Sequence, residues 1–183
     1  MRPPTEDVRA ATRDAIRAQM LIHAFRVRGH TEARLDPLSL REGERHPDLD
    51  PASYGFAPED LERPIYLFMG LGLETATLGE ILATAREIYC GTLGVEFMHI
   101  QDPEAKSWIQ ERLERAKERY EFTDRFRKSI LERLIAAESF ERFLHKRFLG
   151  TKRFGLDGGE STVPALEQIL LTASRSGVEE IVI

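Results

Sequence analysis

The residues with the most chemical potential lie between Thr151 and Glu160, TKRFGLDGGE. Lys152 and Arg153 are adjacent cations, Phe154 follows them, and Gly155-Leu156-Asp157-Gly158-Gly159-Glu160 is glycine-rich. An apolar-periodic run begins just after, near Thr162, so backbone amides of this stretch stand at the start of a helix. Such amides beside two cations make a local positive site that can take an anion. On pattern alone, however, the stretch reads as a turn into a helix, with the cations paired to Asp157 and Glu160. It lacks the Gly-Lys-Ser/Thr of a P-loop and the GxGxxG of a dinucleotide fold, and it does not follow a strand.

Other chemistry is sparse. The histidines are His23, His30, His46, His99 and His145, and no pair has the HxxxH or HExxH spacing of a helical zinc site. Asp36, Asp48 and Asp50 do not form a twelve-residue calcium loop ending in glutamate. No serine, cysteine or paired-carboxylate arrangement reads as catalytic. The sequence therefore offers no catalytic, cofactor-binding or metal residue of its own.

The elements that must position these residues read as mainly helical. Thr5 or Asp7 caps a helix to about Arg28, with Val8, Ile16, Met20, Ala24 and Val27 inward and Leu21 and Phe25 widening the stripe. Gly29 is placed to end it. Residues 31–69 hold five prolines and the acids Asp36, Glu42, Glu44, Asp48 and Asp50, and read as an ordered strap. Its anchors are Leu35, Leu38, Leu40, Tyr54, Phe56, Ile65, Tyr66, Leu67 and Phe68. Thr77 and Glu80 form a capping box that opens a helix to about Leu93. Residues 95–100 alternate as a short strand. Asp102-Pro103 starts a helix carrying Trp108, Ile109 and Leu113 to near Tyr120. Thr123 caps the next, with Phe126, Ile130, Leu134 and Ile135 inward, and Ser139 caps a short one to Phe148. A last helix spans about Thr162 to Ser176, with Leu166, Ile169 and Leu170 inward and Gly177 closing it. Val178–Ile183 reads as a strand in need of parallel neighbours.

Residues 1–149 are thus a helical N-terminal region, and 150–183 the first helix and strand of an α/β domain left incomplete. The expectation is the N-terminal part of a longer protein.

Composition sets limits. The chain has 183 residues, 42% hydrophobic and 31% charged, with a net charge of −5. That describes a globular protein with no basic field for nucleic acid or anionic lipid. No apolar run is long enough for a membrane span, and the N-terminus lacks a secretory signal. The single cysteine, Cys90, reads as a buried thiol in a reducing compartment.

Three separated blocks carry a family resemblance. They are RAQMLIHAFRVRGHTEARLDPLSL from Arg17, IYCGTLGVEFMHIQDPEAKSWIQERLE from Ile88, and SFERFLHKRFLGTKRFGLDGGESTVPALEQIL from Ser139. Within them, Arg28-Gly29-His30 with Leu35-Asp36-Pro37-Leu38, the GVEFMHI stretch and the KRFGLDGGE turn look like hallmarks. The chain resembles, over nearly its whole length, the thiamine-dependent decarboxylating dehydrogenase component of the 2-oxoglutarate dehydrogenase complex.

The resemblance implies an oxidoreductase of the tricarboxylic acid cycle that uses thiamine diphosphate and Mg²⁺ to decarboxylate 2-oxoglutarate. The succinyl group then passes to lipoamide. It implies a homodimer, with dihydrolipoamide succinyltransferase and dihydrolipoamide dehydrogenase as partners. The location would be bacterial cytoplasm, or the mitochondrial matrix in a eukaryote. A 2-oxoadipate-acting relative, and a non-catalytic helical binding module, are the alternatives. The family's His-Arg-Gly-Arg motif, its GDG…N motif and its serine-histidine pair are absent from these residues, so no cofactor is expected on this chain alone. Lys152, Arg153, Phe154 and Glu160 are expected near the active site of the complete enzyme.

Overall fold

A computed structural model describes residues 5–40, 45–115 and 122–182. It divides into two compact units, Met1–Tyr120 and Glu121–Ile183. It is mostly helical, as the sequence leads one to expect, and has one small sheet. Some expectations fall outside the described residues: the stub 1–4, Glu42 and Glu44 of the strap, the helical stretch to Tyr120, and Ile183.

The first unit is organised by helix α1, Glu6–Arg28, with Thr5 as its N-cap residue. Its buried positions are Asp14, Ala18, Leu21, Ile22, Ala24 and Phe25. The inward stripe is therefore rotated from the one read in sequence. Leu21, Ala24 and Phe25 are buried as expected, but Val8, Ile16 and Met20 are each more than half exposed. Both stripes fit helical spacing, and periodicity alone does not say which is covered.

Gly29 does not take a left-handed cap conformation. Its φ is −54°, and it opens a 3₁₀ turn over Gly29–Glu32. Glycine is required for another reason: a Cβ there would lie 2.5 Å from the Tyr89 Cβ. The end of α1 touches the end of helix α2, Leu78–Tyr89, backbone against side chain.

The strap is tied by polar contacts. The His46 amide donates to Glu32 at 2.7 Å, and the Arg34 amide to the Gly91 carbonyl at 2.7 Å. Asp36 accepts from the amides of Leu38 and Leu40, which closes a turn. Phe56, Ile65 and Leu67 anchor it as expected, and Tyr54 is part-buried. Leu49 is a further anchor. Leu35, Leu38 and Leu40 are not: each is more than half exposed, because the Asp36 turn directs this stretch over the surface.

The strap ends in strand β1, Pro64–Gly70, paired antiparallel with β2, Leu73–Thr77. Sequence reading missed this hairpin. Its two-residue loop is Leu71-Gly72, with φ of 57° and 76°, in place of the usual Asn-Gly. Leu71 is buried, and that burial offsets about 1–2 kcal/mol of left-handed strain. The register shifts between Tyr66 and Gly70, a bulge that holds Phe68 at φ 47°.

Residues 95–100 are not a strand, which corrects the sequence reading. They are irregular with a turn at Met98-His99, where the Ile100 amide bonds the Phe97 carbonyl at 3.1 Å. Phe97 plugs the core, and no described strand runs beside it. Helix α2 opens with the expected capping box: Thr77 accepts from the Glu80 amide, and Glu80 from the Thr77 amide. Helix α3, Pro103–Glu114, is capped by Asp102. Ile109 and Leu113 pack on the core, but Trp108 is exposed and stacks under Arg112 at 4.3 Å.

One polar cluster joins the three helices. Arg26 Nε of α1 donates to Glu114 Oε1 of α3 at 2.7 Å, and the Tyr89 hydroxyl of α2 donates to the same oxygen at 2.8 Å. The side chains of Arg26 and Glu114 are 13% and 7% exposed, so the ion pair is largely dry. Burial, then the Glu114 charge, pushes the Tyr89 phenol far above its usual range. Burial and Glu32 push the Cys90 thiol up to about 11.

Glu114→Ala is expected to cost about 3–5 kcal/mol in urea unfolding, because it leaves the Arg26 guanidinium buried and unpaired. Trp108→Ala, on the exposed face of α3, is expected to cost about 0.5 kcal/mol or less. Tyr89 keeps its proton in the folded state at pH values where the unfolded chain has lost it. Stability is therefore expected to fall as pH rises above about 10, and Tyr89→Phe to flatten that fall in pH-dependent melts.

Candidate functional site

The second unit contains the residues singled out by sequence. Helix α4, Asp124–Arg147, is continuous, capped by Thr123, which accepts from the Phe126 amide at 3.3 Å. Ser139 lies within it and caps nothing, which corrects the two-helix reading. Ala136-Ala137-Glu138 are strong helix formers, and no glycine or proline interrupts the run. Phe126, Ile130, Leu134, Ala137, Glu141 and Leu144 are half-buried at three- and four-residue spacing. Ile135 is more than half exposed.

Helix α5, Thr162–Arg175, packs against α4 and is linked to it by Arg133, which grips Glu167 with two hydrogen bonds of 2.7 and 2.6 Å. Leu166 is half-buried, whereas Ile169 and Leu170 are exposed. Gly177, at φ 80°, ends α5 as expected. The Val178 amide reaches the Ala173 carbonyl and the Gly177 amide that of Ser174, a Schellman cap. Residues 178–182 have no regular structure and pair with no described strand, so the C-terminal strand is not formed here.

Between the helices, Gly150 turns the chain at φ 80° and residues 151–156 run without regular structure. Lys152, Arg153 and Phe154 are exposed, Phe154 completely. Neither cation makes an ion pair with a described residue within 4 Å. The turn then folds back onto α4. Glu141 accepts from the Leu156 amide, and Glu160 from the Gly158 amide at 3.1 Å. Gly158 takes a left-handed φ of 83° to permit this.

Two amides of the turn, those of Leu156 and Gly158, are thus occupied by carboxylates, and that of Gly159 by the Leu156 carbonyl. Glu141, Asp157 and Glu160 bring oxygens within 4.8 Å of one another. They line a cleft of about 280 Å³ with Arg153, Arg142 and His145 on its rim. Sequence reading named Asp157 and Glu160 beside the cations but missed Glu141, which reaches them from within α4. The i-to-i+15 contact has no periodic signature.

This arrangement does not fit thiamine diphosphate. The cleft sets Glu138, Glu141, Asp157 and Glu160 among Arg142, His145, Lys146 and Arg153, so it is no cationic seat for a diphosphate, and the Leu156 and Gly158 amides beside it are already taken. No catalytic step is derived from these residues.

No protein-family model matches the chain. At half identity over nearly all of its residues, though, it is similar to part of a set of curated relatives. The relatives are 2-oxoglutarate dehydrogenase E1 components. That of Brucella anthropi is 51% identical over 179 residues, which is 97% of this chain and 18% of the relative. Those of Brucella canis and Brucella suis are 50% identical over the same extent. The chain spans about 18% of the length of these relatives, at their N-terminal end. The resemblance carried by the three sequence blocks is borne out.

Calorimetric titration of this chain with thiamine diphosphate and Mg²⁺ is expected to show no saturable heat. Tight binding that requires Mg²⁺ would overturn the misfit argued from the carboxylate cluster.

Proposed function

We propose that the chain is the N-terminal helical part of a 2-oxoglutarate dehydrogenase E1. The single observation that supports this is half identity across 97% of its residues to proteins named 2-oxoglutarate dehydrogenase E1 component. The complete enzyme decarboxylates 2-oxoglutarate and passes the succinyl group to lipoamide, and it works as a homodimer with dihydrolipoamide succinyltransferase and dihydrolipoamide dehydrogenase. Thiamine diphosphate, with Mg²⁺, supplies the carbanion chemistry. Residues outside this chain hold it. The relatives are bacterial, which favours the cytoplasm. Among the described residues no helix is long and apolar enough to cross a membrane.

In this reading the second unit is where the helical region passes into the cofactor domain. Lys152, Arg153 and Phe154, exposed on the α4–α5 connection and with no ion pair to a described residue, stand near the entrance of the complete active site, and Glu160 holds the turn behind them. The cations give an acidic substrate a favourable field.

The test is the reading frame itself, followed by assay. The gene is expected to continue past Ile183 through the missing motifs, and its full product to reduce NAD⁺ with 2-oxoglutarate once the other components are added. A stop codon after Ile183, or no turnover with 2-oxoglutarate, defeats the reading. In the full product, Arg153→Ala is expected to lower kcat/KM about tenfold, the scale of one charge-assisted contact. Unchanged kcat/KM removes Arg153 from the entrance.

A further inference from the structure

The first unit carries an open apolar groove of about 700 Å³ that the reading above leaves unused. Its floor is the outer face of α1, with Ile16, Met20 and Val27, and its wall is β1, with Leu67 and Phe68. Phe68 is 81% exposed, although the bulge holds it there at a left-handed φ of 47°. The Gln19 amide fixes the wall to the floor by donating to the Leu67 carbonyl. A large aromatic kept in water in a strained conformation is a cost that a covering segment would offset.

The charge around the groove is uneven. Arg9 and Arg13 lie on the same face of α1 as Ile16, two turns and one turn before it respectively. Both are exposed, and neither guanidinium has an ion-pair or hydrogen-bond partner among the described residues. At the other end, Arg28 already has Asp48 at 4.0 Å, and His23 lines the groove. Two copies of α1 packed antiparallel would bring Arg9 and Arg13 toward Arg28 of the other copy, whose one neighbouring carboxylate, Asp48, is already paired with it. Packed parallel, they would set arginine against arginine. A second copy therefore fits the apolar floor but not the rim.

We propose that this groove is the seat of a segment of the same polypeptide lying outside these 183 residues. That segment has an apolar face and, over the first turns of α1, acidic side chains that meet Arg9 and Arg13. The inference rests on the proposed membership in a longer E1. The chain covers only 18% of its relatives, so most of their polypeptide lies elsewhere. A tethered segment acts at an effective concentration on the order of millimolar and outcompetes free partners of similar affinity. The positive end of α1 adds to the preference for acids there.

The test uses the full gene product with Phe68, or separately Met20, replaced by the photo-crosslinker p-benzoylphenylalanine. Both sites are exposed, so folding is retained, which circular dichroism checks. Irradiation is expected to join each position to one peptide beyond residues 1–183 of the same molecule, and that peptide to contain aspartate or glutamate. Combined Arg9→Glu and Arg13→Glu is expected to cut the yield several-fold. Crosslinks only between two copies, only to another protein, or to nothing overturn the proposal, as does an unchanged yield with the reversed charges. A gene product that ends at Ile183 is seen first in its mass; that outcome sinks the E1 reading and this inference together, whereas a longer, active product without the crosslink sinks this inference alone.

Discussion

The first unit depends on one carboxylate. Glu114 takes hydrogen bonds from Arg26 and Tyr89 on the same oxygen, and so binds α1, α2 and α3 at a single nearly dry point. A lone buried charge costs several kcal/mol, so each of the three groups is tolerable only with the other two in place. That makes the cluster a specification of geometry as much as a source of stability. The Gly29–Tyr89 contact belongs to the same constraint. Tyr89 can present its hydroxyl to Glu114 only if its backbone end is free to sit against α1, and a side chain at position 29 would prevent that.

Away from this point the unit is held by more ordinary means. A second polar knot, Arg63 with Asp14 and Asp60, fastens the start of β1 to α1; both acids are buried and Arg63 closes them off from water. Between the two knots lies the apolar core of Leu21, Ile22, Phe25, Leu67, Leu78 and Ile81. The second unit has no such interior: none of its described residues is buried. Its two helices meet along a half-covered stripe and one exposed Arg133–Glu167 pair, which in water contributes little. The contrast explains why the chemically suggestive turn, Lys152 to Glu160, offers charges without an enclosed place to use them.

Local signals were legible where the chemistry is local. Thr77 with Glu80, Asp102 with Pro103, Thr123 and Gly177 each satisfy amides or carbonyls a few residues away, and all four were read correctly. What escaped was set by distance or by burial. Leu71 in a left-handed turn makes sense only once its burial is known, so the hairpin had no readable turn. The alternation at 95–100 reports that Phe97 is inward, not that a neighbouring strand exists. On α1 two apolar stripes compete, and the choice between them lies with the strap and β1, not with α1. At the candidate site, the acids of the turn were visible and their third partner, Glu141, was not. The family resemblance reached further than any of these patterns, because it draws on whole blocks and not on spacing.

The bulge in β1 has one more effect. A hairpin of two strands leaves a backbone edge on each side able to template another chain. Here the ladder of β1 runs over Pro64, Ile65 and Tyr66, breaks, and resumes at Gly70, and Pro64 has no amide to donate. Beyond Tyr66 the kinked backbone points its peptide groups out of line with any incoming strand. The irregularity that displays Phe68 to solvent thus also denies the hairpin a straight edge, and guards an apolar surface against polymerising through its own β-structure.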